Sequence, residues 1–145
     1  MKRLLLVMLS CLITAQAGAA CPQNISFGDI PFEKNSSYFD RRYAKQLQQL
    51  IEKTQTDNGY LLLEFPLFKG ETDKKLREYN FWLANRRIER VKSFLTKADY
   101  NQPVVTKLLT ASKEDTRTLS IHWCQQSEQA TVIASTTAPA HQQLK

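Results

Sequence analysis

The chain has 145 residues, 42% of them hydrophobic and 23% charged, with 20 Lys and Arg against 14 Asp and Glu. That length and balance fit one compact domain of ordinary size. With only His122 and His141 beyond the N-terminal stretch, no His-Glu-x-x-His run, no Gly-x-Ser-x-Gly elbow and no zinc-spaced cysteines, the sequence gives little support to catalysis and carries none of these hydrolase or zinc signatures.

Residues 1–20 read as an export signal. Lys2 and Arg3 form its charged start, Leu4 to Ile13 its apolar centre, and Ala17-Gly18-Ala19-Ala20 its cleavage region. The apolar run is short for a membrane span and no stop-transfer pattern follows. No second stretch of spanning length occurs, and the alternating strands are too few for a barrel. Cleavage would leave 18 basic and 14 acidic side chains, a charge of +4. That suits an anionic wall or membrane surface, and equally an ordinary solvated one. The expected location is the periplasm.

Cys11 falls within the signal, leaving Cys21 and Cys124. An even pair in an exported chain reads as a disulfide flanking the domain. Such a closure is typically worth about 2–4 kcal/mol. The alternative makes Cys21 a lipidated N-terminus. Against it, Gly18 stands where lipoprotein signals usually carry Leu, and Cys124 would be left unpaired.

Ile25 to Phe32 alternates imperfectly and predicts a short strand. Asp40 caps a helix whose buried stripe is Tyr43, Leu47, Leu50 and Ile51. Asp57-Asn58-Gly59 ends it with turn chemistry. Tyr60 to Leu67 is a dense apolar run broken only by Glu64; its length and the nearby Gly59 and Pro66 predict a central strand.

Leu83, Arg87, Val91 and Leu95 then recur every fourth residue, with Ile88 and Phe94 widening the stripe. This predicts a helix from about Glu78 to Lys97. Asn80 and Arg87, seven residues apart, return to nearly one angular position. An amide and a guanidinium are costly to bury without partners, so their place on a core-packing stripe puts them at the mouth of a site. Tyr79 and Trp82 fall off the stripe and read as peripheral packing rather than sugar platforms. The basic cluster Arg86, Arg87, Arg90 and Lys92 reads as a solvated helix face, since export argues against nucleic acid.

Asn101-Gln102-Pro103 breaks the chain, Val104 to Leu109 resumes as a strand, Ser112 to Asp115 is a polar connection, and Thr118 to Trp123 is the last strand. The domain therefore spans 21–124. Residues 125–145, rich in Gln, Ser, Thr and Ala, read as a disordered tail. The predicted fold is α+β, a β-α-β-α-β-β sandwich with two helices packed on one face of a mixed sheet.

Several of these residues together resemble the OmpA-like peptidoglycan-binding domain family. Thr72-Asp73, a short loop, Tyr79-Asn80, Leu83, Arg87 and Val91 match its Thr/Ala-Asp pair followed by Asn-x-x-Leu-x-x-x-Arg-x-x-x-Val on a helix. Ile30-Pro-Phe32-Glu-Lys-Asn35-Ser36 resembles its first strand and Phe-x-x-x-Ser ending. Arg117-Thr-Leu119-Ser-Ile121 stands where the family has an Arg-rich final strand. The similarity covers about residues 27–123.

The resemblance implies that Asp73 accepts from the ammonium of diaminopimelate in a peptidoglycan stem peptide, while Arg87 holds a carboxylate through its planar fork. Thr72 and Asn80 would complete the ligand set. Asn35 and Ser36 would make turn hydrogen bonds at the mouth. Arg117 would support a carboxylate, or be simply an exposed strand arginine. In one straight helix Asp73 and Arg87 would stand about 21 Å apart, so Lys74 to Arg77 has to loop back for both to hold one ligand. Family members often carry a glycine in a slightly longer loop; here Lys74, Lys75 and Arg77 stand there instead.

The implied function is exported, non-catalytic binding of peptidoglycan, without cofactor or metal. The alternative is a degenerate module that binds other envelope proteins and has lost wall binding, which the lysine-rich loop favours. Purely structural readings remain beside both: Asp73 as a helix-terminal carboxylate and Arg87 as a partly buried ion-pair partner. Glu64, Glu71 and Asp73 could between them supply paired carboxylates for glycoside cleavage, but they are weak candidates, because carboxylates are common.

Overall fold

Four strands and two helices follow one another as β1 (Gln23–Pro31), α1 (Arg41–Thr54), β2 (Gly59–Phe68), α2 (Lys74–Lys97), β3 (Val104–Ser112) and β4 (Thr118–Gln125). They belong to a computed structural model that describes residues 21 and 23–126. The expected export signal, and all of the expected 125–145 tail beyond residue 126, lie outside the described residues; Gln125, expected in that tail, instead ends β4, and the Gln126 N–H donates to the Asn58 carbonyl at 3.0 Å.

The sheet order is β1-β4-β2-β3. β4 pairs antiparallel with both β1 and β2, and β2 pairs parallel with β3. A parallel pair needs a crossover connection, and α2 supplies it. Strand alternation separates the two faces: Leu61, Leu63 and Phe65 of β2 and Leu119 and Ile121 of β4 join one buried cluster with Leu47, Leu50, Ile88, Val91 and Leu95 of the helices. Both helices thus cover one face of a mixed sheet, the α+β arrangement expected from the sequence.

The first helix starts where Asp40 Oδ1 accepts from the Arg42 backbone N–H at 2.9 Å, and its Leu47, Leu50 and Ile51 are buried. The second helix departs from expectation. It begins at Lys74, four residues early, because Asp73 Oδ1 accepts from the Leu76 N–H at 2.8 Å and satisfies one of the free amides of the first turn. Lys-Lys-Leu-Arg-Glu are all good helix formers, so the segment 74–77 winds into the helix instead of looping back.

Two glycines answer geometric demands. Gly28 has φ +88° beside the β1 bulge, where the register on β4 shifts between Ser26 and Gly28. At Gly59 an added Cβ would lie 2.5 Å from the Cys124 carbonyl oxygen and 2.6 Å from the Trp123 ring, so β2 and β4 approach there as only glycine permits.

The antiparallel register sets Asn24 opposite Cys124. This brings Cys21 within 4.9 Å of Cys124, Cα to Cα, and the two form a disulfide across 103 residues. Because the bridge occupies the Cys21 sulfur, it is incompatible with the lipidated alternative.

Candidate functional site

Arg87 lies where the helix stripe demands an apolar residue, and it is only 4% exposed. The connection between β1 and α1 provides its partners. Asn35 turns the chain with φ 58°, a conformation Asn tolerates, and the Ser36 N–H donates to the Glu33 carbonyl at 3.1 Å. The turn aims two carbonyls at the guanidinium: Arg87 Nε donates to Ser36 O at 2.9 Å and Nη2 to Glu33 O at 3.0 Å. The guanidinium carbon also lies 5.3 and 5.4 Å from the ring centroids of Phe32 and Phe65. Carbonyl oxygens and ring faces thus replace the water this cation loses.

Among the described residues, Nη1 makes no hydrogen bond and Arg87 no ion pair. Burial, and after it the neighbouring Arg117 guanidinium, push Arg87 below the ordinary arginine pKa. The group still stays charged at any ordinary pH.

Arg87 borders a hollow of about 240 Å³ between the end of β2, the first half of α2, the Asn35 turn and the segment before β4. Asn80, Asn35 and Arg117 line it too, so four of the residues singled out in the sequence meet there. Ser36 serves this corner through its backbone, while its hydroxyl accepts from the Tyr38 N–H at 3.1 Å.

Asp73 and Thr72 do not line the hollow. With 74–87 in one helix, Asp73 and Arg87 stand about 21 Å apart. The expected convergence of these two side chains does not form, and one oxygen of the Asp73 carboxylate serves the helix cap. The carboxylates at the hollow are Glu71, which the sequence suggested only as a weak candidate for glycoside cleavage, and Asp115, which sequence reasoning missed. Glu71 is fixed by its own contacts: Oε1 accepts from the Asp73 N–H at 3.0 Å, and its carbonyl accepts from Arg77 Nη1 at 3.0 Å. Nothing in local spacing marks either acid. Only the folding of the 112–117 connection onto the helix brings Asp115 near Arg87.

Two other groups of residues named in the sequence lie apart from the hollow. Glu64 sits at the sheet, 3.2 Å from Lys107 Nζ and 3.7 Å from His122 Nε2, and does not line the hollow. Tyr79 and Trp82 pack against each other rather than the core, with ring centroids 5.7 Å apart. Among the described residues no three His, Cys, Asp or Glu side chains gather to hold a metal, and no helix is long and apolar enough to cross a membrane. Chemically, the hollow offers two guanidiniums and Lys34 to an anion, with two carboxylates and two amides beside them.

No protein-family model and no curated protein matches this chain. Among solved structures, that of an outer membrane protein from Borrelia burgdorferi B31 is similar, with a TM-score of 0.49 and 21% identity over 71% of this chain and 88% of that one.

Proposed function

We propose that this chain is an exported, non-catalytic binding domain, and that the hollow beside Arg87 receives a carboxylate of the diaminopimelate-containing stem peptide of peptidoglycan. The observation that carries the reading is a buried guanidinium with an uncommitted Nη1, beside a second guanidinium, neither in an ion pair among the described residues. A bound carboxylate would relieve their mutual repulsion and accept charge-assisted hydrogen bonds. Glu71 and Asp115, rather than Asp73, are then the acceptors available for the ligand's ammonium. The motif shared with OmpA-like domains supports the choice of ligand, and the chemistry needs no cofactor or metal.

Retention on purified peptidoglycan tests this, comparing diaminopimelate-type with lysine-type wall. Arg117→Gln should weaken retention at least about tenfold, the loss expected for one charge-assisted hydrogen bond. Asp73→Ser, which keeps the cap, should leave it unchanged. Equal retention on both walls, or none, overturns the reading.

The protein-interaction alternative has one observation in its favour. Asp73 and two donor nitrogens of Arg87 already serve the fold. An absence of wall retention would put that alternative first.

A further inference from the structure

The core leaves one face of α2 unused. Tyr79 and Trp82 stand 37% and 54% exposed there, stacked with their planes 30° apart. One turn on, the Arg86 guanidinium lies 5.9 Å from the Trp82 ring centroid. One turn further, Arg90 lies 4.0 Å from that of Tyr38, itself 68% exposed. A lone exposed aromatic needs no explanation, but three aligned with two arginines do. Tyr, Trp and Arg are the residue types that dominate binding hot spots. Side chains already held against one another also lose less entropy when a partner arrives.

The charges on this face are unbalanced in a specific place. Between Arg86 and Arg90 lies a small hollow of about 110 Å³, bordered also by Glu89 and Ser93. Lys92 Nζ takes the Glu89 carboxylate at 2.8 Å, and Ser93 Oγ donates to the Glu89 carbonyl at 2.7 Å. Glu78, the other acid nearby, pairs with Lys74 at 3.8 Å. Among the described residues, Arg86 and Arg90 form no ion pair. The hollow is therefore flanked by two free guanidiniums, one helical turn or about 6 Å apart along the axis.

We propose that this face binds an acidic protein segment, two of whose carboxylates, about 6 Å apart, engage Arg86 and Arg90 while the Tyr79–Trp82 pair and Tyr38 cover its apolar flanks. Such spacing matches acids one turn apart on a helix. An anionic bilayer fits less well, since lipid-reading patches carry about four to eight cations. Two free arginines flanked by Glu78 and Glu89 fall short of that. The face shares no lining residue with the Arg87 hollow, so the inference stands apart from wall binding.

The test uses the disulfide-bonded protein and three probes: a helical peptide with Glu pairs one turn apart, its Gln counterpart, and phosphatidylglycerol vesicles. Trp82 is the reporter, because the chain's other tryptophan, Trp123, is 1% exposed. The Glu peptide should bind saturably, shift the Trp82 indole resonance, and lose affinity as salt rises. Arg86→Gln with Arg90→Gln should weaken it at least about tenfold, and the exposed Arg86→Gln alone by part of that. Arg117→Gln should leave it unchanged. The proposal is overturned if the Glu peptide does not saturate, if the Gln peptide binds equally well, if the arginine variants keep wild-type affinity, or if vesicles bind in place of the peptide.

Discussion

Arg87 donates from Nε to the carbonyl oxygen of Ser36 at 2.9 Å, tying α2 to a turn 51 residues earlier in the chain. Together with the Nη2 bond to Glu33, this contact fastens the β1–α1 connection onto the helix. It explains how a cation occupies a core position: the turn presents two carbonyl acceptors to two of its nitrogens, at 2.9 and 3.0 Å. It also leaves Nη1 without a hydrogen bond among the described residues, on a side chain that borders the hollow, so the fold and the candidate site share a residue.

Replacing Arg87 should therefore affect stability before any ligand is added. Arg87→Met removes two charge-assisted bonds and leaves two carbonyls to find water, a loss of about 2–4 kcal/mol. Arg87→Lys should lose less, about 1–2 kcal/mol, because an ammonium can reach one carbonyl but cannot reproduce the fork. Urea unfolding measures both, and an unchanged midpoint for Arg87→Met would remove the tie from this account.

Asp73 should behave as a helix cap. Asp73→Ala should cost about 1 kcal/mol, while Asp73→Ser or Asp73→Asn should cost only a few tenths, since each still offers an oxygen to the Leu76 N–H. Thermal unfolding of the three variants side by side separates a cap from a ligand contact, for which Asn and Ser would be poor substitutes.

Gly59→Ala should destabilise by about 1–3 kcal/mol or more, because the new methyl meets the Cys124 carbonyl and the buried Trp123 ring, neither free to move. Gly70→Ala offers the comparison. Its Cβ would approach the Phe68 ring to 2.3 Å, but Phe68 is 40% exposed and can swing aside, so a change within about 0.5 kcal/mol is expected. Comparable losses at both positions in denaturant titrations would contradict the distinction.

Tyr100 sets an alkaline limit. Thr54 Oγ1 donates its one proton to the Leu50 carbonyl at 2.9 Å, so at the 2.9 Å contact between the two hydroxyls Tyr100 is the donor. Burial raises its pKa above the ordinary tyrosine value. With the folded pKa above the unfolded one, this contribution is complete below about pH 10 and lost as pH rises through the folded value. Tyr100→Phe should be less stable than wild type at neutral pH and should lack this step in a stability profile carried into alkali. A step of the same size in both proteins would assign it to another group.

Much of the fold was legible because helix and strand periods are local. Leu47, Leu50 and Ile51 announced the buried side of α1, and Leu83, Ile88, Val91 and Leu95 that of α2, through spacing alone. Asp73 was legible in the same way, as a capping residue ahead of five helix formers. The expectation of a loop failed because it required Asp73 and Arg87 to share a ligand, against a short-range bond that local chemistry favours. Asn80 and Arg87, singled out by their spacing, both line the hollow. Only the tertiary structure decided what Arg87 touches and which acids stand near it. The order β1-β4-β2-β3 lays the Glu33–Ser36 turn, the end of β2 and the Asp115–Arg117 segment around one helix position. Periodicity records which side of an element faces inward; which distant loop meets that side depends on sheet order and register, long-range pairings that spacing within an element does not encode.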